Sequence, residues 1–246
     1  MYSRNYLYIT EDDQQKMADF RIAFAGVGLG SNIAETALRL GFKTLTIIDA
    51  DRVELSNLNR QAYMHEDIGD YKVNALKRKL MAINHSANIT CFNVFLDESN
   101  IDSCLSGCDV LINTIDYNSN MSLVLDTYCN QHDILAIHPL NLGWAGCVYI
   151  TGKESKQMDF VCNDEKEYEI CLVKHILEMQ QQKGIDCSNL NSVVDAYKER
   201  FTKQSPPQLA IGSHLIAGIV ATILFNIATG KNIKISPDFY FIDTML

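Results

Sequence analysis

Arg21-Ile22-Ala23-Phe24-Ala25-Gly26-Val27-Gly28-Leu29-Gly30-Ser31 is the stretch that decides the fold. Its first residues are a short apolar run of the kind that forms a strand buried on both faces. Gly26, Gly28 and Gly30 then let the backbone turn tightly into a helix opening at Ser31. A glycine loop between a strand and a helix N-terminus brings backbone N–H groups close to a ligand and favours a phosphate or nucleotide there. Taken alone, the same loop also fits tight strand-to-helix packing with no ligand. Asp49 ends the next apolar run, 19 residues past Gly30, where an acid can accept hydrogen bonds from ribose hydroxyls.

Outward from the loop, short β-branched runs alternate with segments of helical period. The runs are 21–26, 44–49, 89–95, 109–115, 134–138 and 145–150; helices are expected from Ser31, near 70–83 and through 123–129. This rhythm predicts an α/β, Rossmann-like, mostly parallel sheet flanked by helices. Residues 151–205 are polar and charged, with helical patterns near 165–183 and 189–201, and read as a crossover insertion ending at Pro206-Pro207. A closing apolar helix from about Ile211 and a last strand, 239–243, return to the core. The whole of 1–246 is expected to be one domain.

The chain has 246 residues, 21 Lys+Arg against 30 Asp+Glu, a net charge of -9 and 47% hydrophobic residues. That is enough apolar material for one sizeable core and excludes a disordered chain. The acidic balance disfavours nucleic acid as a partner. The chain opens without an apolar targeting run, so its eight Cys are expected to stay reduced and the protein to be cytoplasmic. Leu215 to Ala228 is too short an apolar run for the roughly 20 residues a bilayer requires, so no membrane association is expected.

Asp49-Ala50-Asp51-Arg52-Val53-Glu54-Leu55-Ser56-Asn57-Leu58-Asn59-Arg60-Gln61 crowds acids, amides and a guanidinium just past the second strand. A nicotinamide dehydrogenase has no use for that density. A nucleoside triphosphate site does, because Arg bonds phosphate oxygens bidentately while carboxylates hold a metal. Lys72 begins a helix with apolar face Val73, Leu76 and Leu80 and falls on the same rim; the bland alternative is a solvated first-turn lysine.

These residues closely resemble the ThiF/MoeB/HesA family of adenylyltransferases, which includes the ubiquitin-activating enzymes. The likeness rests on Ser56-Asn57-Leu58-Asn59-Arg60-Gln61, Asp67-Ile68-Gly69 with Lys72, and Asp116 at the tip of Asn113-Thr114-Ile115. It extends to Tyr2-Ser3-Arg4-Asn5 and to the late helix within 209–230. The resemblance implies ATP and Mg2+ as cofactors and AMP transfer to a carboxylate, usually the C-terminus of a small ubiquitin-like or sulfur-carrier protein or a peptide. It assigns ribose to Asp49, phosphates to Asn57, Arg60 and Lys72, and magnesium to Asp116. Gly26, Gly28, Gly30, Asp51 and Gln61 complete the nucleotide set. Arg4 would reach the triphosphate of a partner subunit, which implies a homodimer.

The chain also departs from the family. Where the family usually has G-x-G-G-x-G, the loop reads either A-G-V-G-L-G without a gap or G-V-G-L-G with one residue missing, and Tyr117 and Met121 stand where Asn and Arg are usual. No C-x-x-C occurs, so no zinc site is expected; Cys104 and Cys108 read as core or helix-end packing. Members that form a thioester or persulfide use a cysteine near the crossover, where Cys162, Cys171 and Cys187 stand. Cys171 is expected to be buried and Cys187, in a polar loop, to be the exposed one. His138-Pro139 could line the acceptor side of the cleft. Two further readings remain: a tRNA-modifying dehydratase of the same family, if Lys72, Lys77, Arg78 and Lys79 form a basic patch, and a scaffold that binds a ubiquitin-like partner without adenylating it.

Overall fold

The computed structural model describes residues 1–115, 120–156, 162, 167–200 and 204–245. Seven strands form one sheet in the order β3-β2-β1-β4-β5-β6-β7: β1 Arg21–Ala25, β2 Thr44–Ile48, β3 Asn88–Phe92, β4 Val110–Asn113, β5 Leu135–Leu142, β6 Ala145–Thr151 and β7 Phe239–Asp243. The first five run parallel; β5 and β6 form an antiparallel hairpin and β7 pairs antiparallel with β6. This is the expected Rossmann-like, mostly parallel α/β sheet.

Alternation along each strand sorts the core. Ile22 and Phe24 of β1 face one layer, with α2 (Gly30–Leu40), α3 (Lys72–Ile83) and α8 (Ala210–Ala228). Ala23 and Ala25 face the other, with α4 (Ile101–Leu105) and α5 (Met121–Gln131). Further along that second face, Cys147 and Tyr149 of β6 are covered by α6 (Tyr168–Gln182) and α7 (Ser188–Arg200), the two helices of the crossover insertion. A period of two with apolar residues on both faces is what a parallel sheet sandwiched between helices requires.

Three elements differ from the sequence reading: β5 runs on to Leu142 rather than ending at His138, its added residues pairing with the start of β6. β3 stops at Phe92 rather than Phe95; Val94 and Phe95 are exposed. An N-terminal helix, α1 (Glu11–Asp19), packs on α8 through Met17, capped by Thr10, whose Oγ1 accepts from Asp13 N at 3.1 Å. The 19 residues of α8 are, by length and composition alone, enough to cross a membrane. In the fold, Ile216, Ala217, Val220 and Leu224 are buried against the sheet and α2.

Candidate nucleotide site

Strand order reverses between β1, which leads away to β2 and β3, and β4, which leads to β5. Ligands of open α/β sheets bind outside the strand carboxyl ends at such a switch point. A cleft of about 610 Å³ opens there, lined by Gly26, Gly28, Asp49, Asp51, Asn57, Arg60, Gln61 and Lys72 and, across it, by Asn113, Thr114 and Pro139. The sequence-predicted residues that are described, apart from Gly30 and Arg4, thus share one cavity of a size ordinary for a cofactor.

The glycine loop is shaped for close approach. Gly26 has φ +84°, and a Cβ there would lie 2.9 Å from the Thr114 carbonyl oxygen, so only glycine fits. Thr114 Oγ1 donates toward Gly26 O (2.8 Å), fixing β4 to the loop. Gly30 is buried and opens α2. Ser31 Oγ donates to Gly28 O (2.6 Å) and accepts from Ala62 N (3.0 Å), tying the loop to the segment that carries Arg60 and Gln61.

Asp49 accepts from Val27 N on one oxygen and from Asp51 N on the other, both at 2.8 Å. Each carboxylate oxygen keeps a second lone pair for a hydroxyl. Gln61 lies against Gly28, where a Cβ would sit 3.0 Å from its Nε2, and its Oε1 is buried with no hydrogen-bond partner among the described residues. An orphaned buried acceptor beside a glycine loop fits a bound group with hydroxyl donors.

The cations are held firmly. Lys72 is buried, not solvated, and its Nζ pairs with Asp51 Oδ2 at 2.8 Å. Arg60 Nη1 donates to Ser56 O (3.0 Å) and Asn59 Oδ1 (2.8 Å), and its Nε donates to Gln208 Oε1 (2.6 Å). Gln208 was missed by sequence reasoning: it lies 148 residues away, just after the crossover. Tyr63 was missed too. Its OH donates to Val27 O (2.7 Å), and burial, with the Asp49, Asp67 and Asp51 carboxylates around it, holds its pKa well above the usual tyrosine value.

Asn57 is buried and caps its own turn, its Oδ1 accepting from Glu54 N (3.0 Å). Asp116 lies outside the described residues. Among the described residues no group of three or more His, Cys, Asp or Glu side chains is placed to hold a metal. Arg4 sits far from this chain's own cleft. Tyr2 OH donates to Leu38 O (2.8 Å) and Asn5 Nδ2 to Leu40 O (3.0 Å), at the end of α2 opposite the glycine loop.

Several expectations are corrected. Cys187 is buried rather than exposed, because the chain turns its side chain under α7, and burial raises its pKa. Cys171 is half-buried; burial, then its hydrogen bond with Cys162, raise its pKa to about 11. Cys162 is half-buried as well. Pro139 lines the cleft, but His138 points away from it: buried, it pairs with Asp126 (2.9 Å) and Thr151 Oγ1 (3.0 Å) and stacks on Tyr149. Three of the four cations that could have formed a basic patch are paired: Lys72 with Asp51, Arg78 with Asp67 and Asp70, Lys79 with Glu35.

Fold and cleft define a doubly wound α/β protein with a candidate nucleotide site at its switch point. The ThiF family model matches residues 2–246, and the chain belongs to the ThiF family. Ubiquitin-like modifier-activating enzyme 5 of Gallus gallus is 33% identical over 132 residues, 48% of this chain and 33% of that one. A probable molybdopterin-synthase adenylyltransferase of Gracilaria tenuistipitata var. liui is 27% identical over 128 residues, 51% of this chain and 36% of that one. The match thus spans about a third of the length of these curated relatives. Among solved structures, E. coli MccB with succinimide aligns at TM-score 0.72 and 18% identity, covering all of this chain and 68% of that one. E. coli MccB with ATP aligns at 0.67 and 16% identity, covering 94% and 65%. These structural likenesses speak to the fold.

Proposed function

We propose that this chain is an ATP-dependent adenylyltransferase that activates the C-terminal carboxylate of a small ubiquitin-like or sulfur-carrier protein, or of a peptide, as an acyl-adenylate. The observation that carries the reading is the convergence of the glycine loop, Asp49, Arg60 and Lys72 on one cleft at the β1/β4 switch point. The names of the curated relatives and family membership support it.

A carboxylate oxygen attacks the α-phosphorus, the bond to the pyrophosphate oxygen breaks, and pyrophosphate leaves. The carboxylate is already ionised at neutral pH, so no general base is needed. Catalysis then rests on positioning and on neutralising the charge that builds on the leaving pyrophosphate. Asp49 holds the ribose; Asn57, Arg60 and Lys72 receive the phosphates, Lys72 sharing or exchanging its Asp51 partner. Gly26 and Gly28 let the nucleotide approach the backbone, with Asp51 and Gln61 completing its shell, while Gly30, outside the cleft lining, lets α2 start close against Thr114 and Phe24. Asp116 is the proposed magnesium ligand; bound to the phosphates, the ion would supply further neutralisation. Arg4 acts on the triphosphate of a second copy, so the working form is a homodimer. We propose the cytoplasm as its place of action.

ATP–pyrophosphate exchange with candidate carriers tests the reading. Exchange that depends on a carrier and falls at least about a hundredfold in Arg60→Ala, as removal of one transition-state donor does elsewhere, is expected. ATP binding without exchange for any carrier would replace it with the scaffold reading.

A further inference from the structure

A second, apolar cavity of about 260 Å³ lies beside the nucleotide cleft. Its walls come from the tip of the β5–β6 hairpin (Leu142, Trp144), α6 (Val173), α7 (Leu190, Val193) and the entry to α8 (Leu209). Asn141, Glu169 and Pro206 line both cavities, so the two share a wall. The shared wall is braced: Asn141 Nδ2 donates to Leu209 O and Ser213 Oγ, and its Oδ1 accepts from Gly143 N, all at 2.9 Å.

We propose that this cavity is the specificity pocket for an apolar side chain of the acceptor, carried within a few residues of the carboxylate that becomes adenylated. The inference rests on the adenylation reading. A carboxylate presented to the nucleotide must bring its preceding residues along the cleft wall, and the wall formed by Asn141, Glu169 and Pro206 is shared with the second cavity, which therefore lies next along that path. The cavity falls below the roughly 300–1,000 Å³ of small-molecule sites, so it suits one or two side chains rather than a cofactor. Glu169 at one rim and Asp243 at another make it hostile to an acidic occupant. Val193, Leu209 and Trp144 remain 51%, 38% and 49% exposed, apolar surface that an apolar side chain would remove from water.

The chain has a single tryptophan, and it is Trp144 in this wall. Its emission therefore reports occupancy without any need for activity. Short synthetic peptides with a free C-terminal carboxylate are titrated onto the full chain with ATP, one leucine being moved stepwise back from the terminus, with serine or aspartate at the same place as controls. The expected result is one favoured leucine position that blue-shifts Trp144 and binds roughly tenfold or more tighter than serine, aspartate being weaker still. Val193→Glu, at an exposed position that tolerates the change in folding, is expected to abolish that preference while leaving ATP binding intact. Exchange stimulated equally by leucine and serine peptides would overturn the pocket and leave adenylation standing. A position-specific shift of Trp144 with no exchange for any peptide would support the pocket and sink adenylation. A blue shift that appears on raising protein concentration without peptide would give the surface to a second copy and overturn the proposal.

Discussion

Asp51 and Lys72 show how a single pair prepares a cationic site. Lys72 is only 7% exposed, so its ammonium depends on Asp51, whose own side chain is largely open to water. Asp51→Asn is expected to lower stability by about 1–3 kcal/mol, the cost of leaving a buried charged group poorly satisfied. Because a triphosphate would replace the lost partner, ATP should raise the melting temperature of the variant more than that of the parent; an equal rise would place Lys72 away from the phosphates. Tyr63 supplies a pH-dependent counterpart. Its folded pKa lies above its unfolded value, so its contribution is complete below about pH 10 and is lost as pH climbs through the folded value. Urea unfolding across alkaline pH should therefore show a shallower loss for Tyr63→Phe than for the parent, at the cost of the 2.7 Å hydrogen bond to Val27 O. The local strings Asp49 to Gln61 and Lys72 were legible as a site because a strand end gathers its neighbours in sequence. Gln208 and the burial of Cys187 were not: one comes from 148 residues away, and the other sits among Asp186 and Ser188, whose polarity says nothing of where the cysteine points.

Helix α8 meets the β5–β6 hairpin so closely that two of its glycines should respond in opposite ways to the same change. A Cβ on Gly212 would lie 2.3 Å from Asn141 Oδ1 and 2.8 Å from Gly143 O, so Gly212→Ala must displace the amide that joins hairpin to helix. Overpacking of this kind costs about 1–3 kcal/mol. Gly218, exposed on the same helix, has nothing within 4 Å of where an alanine methyl would stand, and Gly218→Ala should stabilise by up to about 1 kcal/mol through helix propensity. Denaturant midpoints of the two variants check the contrast. At this scale most of the fold could be read because β1, β2 and β4 are short runs rich in apolar and β-branched residues, α8 is long and apolar, and the hairpin is closed by Gly143 at φ +76°. Helix α1 could not, since Glu11–Asp19 buries only Met17 and offers no apolar stripe. The overrun of β3 has the opposite cause: Val94 and Phe95 are strand-like residues, but they leave the sheet and line the cleft.

For the whole molecule, the position of Arg4 matters most. The eleven residues of α2 span about 16 Å, and the turn Ser3–Asn5 is fastened to the far end of that helix while the glycine loop occupies the near end. Asn84 Nδ2, just past the end of α3, donates to Tyr2 OH (3.0 Å) and adds a second tether. An arginine held there is remote from its own glycine loop, so the role proposed for Arg4 on a triphosphate requires another copy of the chain. Tyr6, Leu7 and Tyr8 beside it are 65%, 92% and 89% exposed, a run of large apolar side chains suited to cover by a partner. If Arg4 acts across a two-fold interface, a dimer of one Arg4→Ala chain and one Asp116→Ala chain has one site with both defects and one with none. Equal, random mixing makes about half of all dimers mixed, so exchange should return to about a quarter of the parental rate per chain although each variant alone is inactive. If instead each Arg4 served its own cleft, every site in every dimer would carry one defect, and mixing would restore nothing.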